Sequence, residues 1–203
     1  MNALCEKVRE IEGEERFAHT LSVANECLSL ASVFSLTVPV TRRLYKAAIL
    51  HDITKHLSQS EHIALAGELG IELTEDDLES PAVLHQLTGA ALIRRDFPKY
   101  ASDTVISAVK KHTTGDKNMS VTDKILFLAD YIEPCRRWES CIKTREYFYS
   151  LLEKERKTKA LDLAVIKCLE NTISHLREKG MSIHRGTLDA HAALTSLYTR
   201  KDG

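Results

Sequence analysis

Nine histidines stand in a chain of 203 residues, and four of them, with two aspartates, have the spacing of a metal site. His51 ends an apolar stripe with Leu44 and Ala47, and Asp52 follows it directly. His19 lies on the stripe of Val23. His85 lies one turn before Gly89, whose missing side chain leaves room beside it. His112 ends the stripe of Val105, Ala108 and Val109. Asp130 belongs to an otherwise apolar helix, ILFLADYI. An ionised carboxylate on a buried helix face is costly unless it is paired or bound to metal. Each residue alone has an ordinary reading: a buried His bonded to a carbonyl, or an Asp capping a neighbour. Five helices presenting four imidazoles and two carboxylates inward read instead as metal ligands. Mixed imidazole and carboxylate ligands suit Mn, Fe, Co or Zn, and six ligands are enough for two ions.

Two such ions can lower the pKa of a shared water and hold phosphoryl oxygens. The chain has no G-x-S-x-G, no G-x-G-x-x-G and no G-x-x-x-x-G-K-[ST]. Phosphate handling therefore falls to metals and cationic side chains. Lys55, four residues past His51, is a candidate phosphate contact. Arg136 follows the Asp130 helix and can clamp phosphate bidentately. Arg16, one turn before His19, can do the same or pair with a nearby acid. Glu133, three residues after Asp130, is placed to orient a ligand histidine. Asp123 shares the Asp130 face, with capping of its own helix as its expected role. Tyr131 and Trp138 read as ordinary packing, with the border of a base pocket as the sharper alternative. His56, His62, His175, His184 and His191 read as surface or packing residues.

The elements that must position these groups are helices. Apolar residues repeat at helical spacing over 16–34, and over 161–176 with Gly180 as the stop. Pro39 suits a first helical turn, and the helix it opens runs to His51. Ser58-x-x-Glu61 is a capping box opening a short helix that Gly70 closes. Pro81 opens another, through about Asp96 and ended before Pro98. Segments 103–112, 121–132 (capped by Ser120 with Asp123), 143–156 and 187–198 complete the set. Only SVFSLTVPV (32–40) is β-prone, and Pro39 interrupts it. The expectation is a single all-α domain over residues 1–203, of roughly eight to ten helices.

Composition narrows the class further. Lys and Arg number 28, Asp and Glu 29, so binding of nucleic acid through bulk charge is disfavoured. The longest uncharged run, Cys27 to Thr41, is too short to span a bilayer. The amino terminus, MNALCEKVREIEGEER, is charged throughout and reads as no secretion signal. Five cysteines without a C-x-x-C read as free thiols in a reducing cytosol, so a cytoplasmic location is expected.

The order His19, His51-Asp52, His85, His112, Asp130 resembles the HD-domain metal phosphohydrolases. The strings RFAHTLSVA (16–24), AAILHDITK (47–55), LHQLTGA (84–90), KKHTTGDKNM (110–119) and DKILFLADYIEPCR (123–136) resemble the YqeK family of symmetrical diadenosine tetraphosphate hydrolases. The resemblance covers about residues 14–195. It implies an all-α HD helical bundle with a dinuclear site, often iron, and cleavage of the tetraphosphate bridge of a dinucleoside polyphosphate into two ADP. It implies that His19, His51, Asp52 and Asp130 hold one metal, that His85 and His112 hold the other, and that Asp52 bridges them. Asp52 and Lys55 are thus the candidate catalytic pair. Lys55, Arg136, Lys117, Arg16, Thr113 and Thr114 are the candidate phosphate contacts. Two positions depart from the family pattern. Gln86 stands where a small residue tends to follow the His, and Asp116 where a basic residue often follows HT-x-G.

The same ligand set also serves HD enzymes acting on other nucleotides or phosphate esters. A reading of a different class is a non-catalytic nucleotide-sensing or adaptor module. That class predicts erosion of the ligands, whereas all six positions are filled. The broad apolar stripe at 161–176, with the resemblance, points to a homodimer.

Overall fold

Apolar residues recurring every three or four positions build the whole architecture. The computed structural model describes residues 2–199, and among them ten α-helices and two 3-10 turns form and no strand does. Helix α1 (Asn2–Val33) is two helical arms joined at Gly13, whose φ of 76° lies where residues with a Cβ are strained. Its second arm buries Phe17, Val23, Ala24 and Cys27 and carries His19. The first arm corrects the sequence reading, which left these residues unassigned. Leu4 and Val8, four positions apart, are buried, while Glu6, Lys7, Arg9 and Glu10 stay exposed. Dense charge masked a narrow apolar stripe.

Helix α2 (Val38–Leu50) has Pro39 in its first turn and delivers His51 at its carboxyl end. α3 (Gln59–Glu68) opens on the Ser58–Glu61 capping box. A second box, Thr74 with Asp77, opens the short α4 (Glu75–Glu79), which the sequence reading missed. A 3-10 turn over Pro81–Val83 leads into α5 (Leu84–Asp96), the helix of His85. α6 (Asp103–Lys111) ends at His112. α7 (Val121–Ile132) opens on the Ser120–Asp123 box and carries Asp130. α8 (Glu139–Lys154) starts ahead of the expected residue 143. α9 (Lys157–Glu178) and α10 (Arg185–Thr199) close the chain.

Packing explains why the site forms where it does. α1 lies against α2 and α7, α2 against α6, and α6 against both α5 and α7. Those five helices carry the six residues singled out above. α9 braces the back of α7 and is itself covered by α8 and α10. Leu161, Ala164, Val165, Cys168 and Leu169 are completely buried within the one chain. The stripe that pointed to a dimer is therefore part of this chain's own core. No described helix is long and apolar enough to cross a membrane. All five cysteines are free.

Candidate metal centre

Three of the four histidines are set by one local device. His51 Nδ1 donates to the Ala48 carbonyl at 2.7 Å, His112 Nδ1 to Val109 at 2.7 Å, and His85 Nδ1 to Ala82 at 2.9 Å. Each acceptor lies three residues earlier, in the last turn before a helix end or the turn that opens one. A carbonyl oxygen only accepts, so the proton sits on Nδ1 and the Nε2 lone pair is left facing inward. His19 reaches the same state through Glu133, whose Oε1 lies 3.2 Å from its Nδ1. Glu133 itself is fixed by the Cys135 backbone N–H at 2.6 Å.

The inward nitrogens surround two carboxylates. Asp52 divides its oxygens. Oδ1 lies 3.3 Å from His85 Nε2 and 3.5 Å from His112 Nε2, while Oδ2 lies 3.6 Å from His51 Nε2. Asp130 Oδ1 lies 3.0 Å from His19 Nε2 and 4.0 Å from His51 Nε2. Two groups result, His19, His51 and Asp130 on one side of Asp52, His85 and His112 on the other. Ligand atoms from three overlapping sets of three among these residues fall within 4.8 Å of one another.

The donor set fits a divalent cation. His51 is completely buried and its Nε2 has no hydrogen-bond partner, a state that buried nitrogen atoms rarely keep unless something else binds them. Burial pushes the His51 imidazole down to about 4 and lowers His85 well below its ordinary value, so both rings are neutral ligands at pH 7. Burial works to raise Asp52, but its imidazole neighbours His51, His112 and His85 hold it well below the usual carboxylate range. Asp130 is likewise held low, against burial, by His19 and Arg136. Neutral imidazoles beside ionised carboxylates are the state in which such groups ligate metal. The clustered residues thus form a candidate divalent-metal centre.

Gly89 explains how the helices come this close. A Cβ there would sit 3.3 Å from Thr54 Oγ1 and 3.7 Å from Ile53, in the turn that follows Asp52. The space beside His85 is therefore filled by that turn. Thr54 ties it down by donating to the His85 carbonyl at 3.0 Å.

The cationic candidates divide. Lys55 is half-buried, with Nζ 3.1 Å from His85 Nε2, and burial lowers its ammonium from the ordinary value. Arg16 donates to Asp52 Oδ2 at 3.2 Å. Arg136 donates to Asp130 Oδ1 at 2.6 Å and to the Asp130 carbonyl at 2.9 Å. Both arginines hold site carboxylates as the chain stands. Thr113 Oγ1 stands 3.0 Å from His85 Nε2 and 3.1 Å from His112 Nε2, at the centre. Thr114 corrects the sequence reading. It is buried, and its hydroxyl accepts from Gln86 Nε2 at 3.0 Å and donates to the Gly115 carbonyl at 2.9 Å, so it has no donor left for phosphate. Lys117 is exposed in the loop after α6, and no bond ties it to the cluster among the described residues.

The two departures from the family pattern have local explanations. Gln86 Oε1 accepts the backbone N–H groups of Thr113 and Thr114 at 3.1 and 3.2 Å, pinning the turn that carries His112. Asp116 accepts from the Asn118 backbone at 2.6 Å and shapes the following turn. Asp123 has its capping role and also accepts from Ser107 at 3.1 Å.

A cleft of about 740 Å³ opens onto His19, lined among others by Glu12, Arg16, Glu133, Arg136 and Trp138. Glu12 was missed in the sequence. It accepts from Thr20 at 2.7 Å through Oε2, its Oε1 is buried without a partner, and burial lifts its carboxyl to about 7. Only its place beside the Gly13 break, invisible in periodicity, brings it here. Trp138 is another correction: it is 66% exposed, and so is not packing. Tyr131 does pack against the core.

Comparison with known proteins places this geometry. The HD domain family matches residues 16–135. A symmetrical bis(5'-nucleosyl)-tetraphosphatase of Halalkalibacterium halodurans is 33% identical over 183 residues, 89% of each chain. Enzymes of the same name from Staphylococcus aureus and Bacillus subtilis are 29% and 28% identical, over 87% and 90% of this chain and 84% and 91% of theirs. The crystal structure of a Clostridium acetobutylicum protein, described as a predicted HD superfamily hydrolase involved in NAD metabolism, superposes with a TM-score of 0.84 at 28% identity, over 97% of both chains.

Proposed function

The chain belongs to the HD-domain family and, within it, to the YqeK group, and from that premise we propose that it is a metal-dependent symmetrical bis(5'-nucleosyl)-tetraphosphatase. Its substrate is diadenosine tetraphosphate or a related dinucleoside polyphosphate, and its product is two ADP. The observation that carries this reading is the division of the Asp52 oxygens between two groups of imidazole nitrogens.

His19, His51, Asp130 and Asp52 Oδ2 would hold one ion, and His85, His112 and Asp52 Oδ1 a second, with iron the favoured metal and Mn, Co or Zn the alternatives. Divalent cations held there lower the pKa of water and offset phosphoryl charge. The chain's own residues do the rest. Glu133 keeps the His19 lone pair inward. Lys55 and Thr113 bring donors to the same spot, suited to phosphoryl oxygens as well as to imidazole nitrogens. Arg16 and Arg136 lie in the cleft wall, where their remaining N–H groups meet the polyphosphate. Glu12, protonated near neutrality, adds no full negative charge to the path of a polyanion.

The deciding experiment is chromatography of the products from diadenosine tetraphosphate with metal-loaded protein. ADP alone supports the reading. AMP with ATP overturns the symmetrical assignment, and no cleavage overturns the substrate.

A further inference from the structure

We propose that Trp138 is the stacking platform for a purine base of the nucleotide whose phosphates lie at the metal centre; this rests on the substrate class proposed above. The chain has one tryptophan, and two-thirds of its surface is exposed. An indole left open to water offers apolar surface to a ligand, and here it lines the cleft that also contains His19, Arg16 and Arg136. Its backbone is anchored. The Trp138 carbonyl accepts from the backbone N–H groups of Cys141 and Ile142 at 3.0 Å each, which sets it at the head of α8. Arg145 on α8 donates to the carbonyls of Glu133 and Arg136, at 2.6 and 3.2 Å, which fixes the loop between α7 and the ring.

Arg136 connects the platform to the chemistry. Its guanidinium carbon lies 5.3 Å from the indole ring, within cation–π range, while its Nη2 holds Asp130. The ring is thus held by the residue that also holds a candidate metal ligand, at the distance one guanidinium spans. A nucleotide running from the centre into the cleft meets phosphate-binding chemistry first and an aromatic surface beyond it. Aromatic faces accept any base without reading its edges. A platform of this kind predicts weak discrimination between adenine and guanine.

Because Trp138 is the only tryptophan, its fluorescence reports on the ring directly. ADP added to the protein as purified should quench the emission saturably. Inorganic pyrophosphate should compete with ADP for the site and leave the emission unchanged on its own. Trp138→Ala should raise KM for diadenosine tetraphosphate about 5- to 100-fold, the range of stacking on one base, with a far smaller change in kcat. Trp138→Phe should restore most of the loss. Calorimetric binding of ADP without quenching, at equal affinity in Trp138→Ala, overturns the platform and leaves the substrate reading intact. If ADP does not bind and no dinucleoside polyphosphate is cleaved, the substrate reading falls and takes the platform with it.

Discussion

His85 Nε2 and His112 Nε2 stand 2.9 Å apart. Both rings give their Nδ1 protons to backbone carbonyls, so two lone pairs face each other across that gap. Among the described residues, the Thr113 hydroxyl and the Lys55 ammonium offer hydrogen to the spot. Two acceptors at this distance repel unless a positive centre lies against both. His85 and His112 would be the pair that holds such a centre.

Asp52 is the residue both groups share. Asp52→Ala should lower kcat by about 10³-fold or more, since it removes a ligand from each group and leaves Arg16 without its acceptor. His85→Ala or His112→Ala should lose mainly one of two metal equivalents, with partial recovery at high added metal. Steady-state kinetics beside metal analysis of each variant checks this. Wild-type turnover in Asp52→Ala contradicts a bridged centre.

Glu133 orients His19 without reaching the centre itself. Glu133→Gln keeps an acceptor oxygen but loses the charge, and should weaken metal binding by about 10- to 100-fold. A competition titration against a chromophoric chelator measures it. Affinity unchanged in both Glu133→Gln and Glu133→Ala would mean that the His19 ring is fixed by packing alone.

Lys55 approaches His85 with a donor that a phosphoryl oxygen can take over. Lys55→Ala should leave metal content intact. It should lower kcat/KM by about ten- to a hundredfold, the loss of one charge-assisted contact. An equal fall in metal content would show instead that the lysine supports the ligands.

Glu12 gives the fold a pH dependence of definite sign. Burial raises its carboxyl from 4.5 to about 7. Between those values the folded chain keeps a proton that the unfolded chain releases. Its contribution therefore makes the fold less stable as pH rises through this window, and the penalty is full above about pH 7. Glu12→Gln keeps the Thr20 hydrogen bond and removes the charge. In chelator-treated protein the variant should match wild type near pH 4.5 and exceed its stability at pH 8 by up to about 3 kcal/mol. Urea unfolding at the two pH values measures the difference, and an equal gain at both rules out ionisation as its source.

What the sequence made legible followed from local rules. Stripes at helical spacing located α2, α6, α7 and α9, and with them His51, His112 and Asp130, because the residues that end a buried stripe face where the stripe faces. Two capping boxes, at Ser58 and Ser120, placed helix starts to within a residue. The third, Thr74 with Asp77, was missed because an Asp there also reads as a turn. Leu4 and Val8 were missed because the charges between them outweighed two apolar residues. Gln86 and Thr114 depend on a long-range contact, and Glu12 on the Gly13 break, neither of which a local period encodes. Gln86 looks like a departure until its amide is seen holding the Thr113 and Thr114 backbone. The apolar stripe of α9 was legible, but not which neighbour would cover it.

Elemental analysis of the protein, purified without oxygen and loaded in turn with Fe, Mn and Co, tests the central claim most directly. The account predicts up to two divalent ions per chain, reduced in Asp52→Ala. A correctly folded chain that stays metal-free in the presence of all three contradicts it.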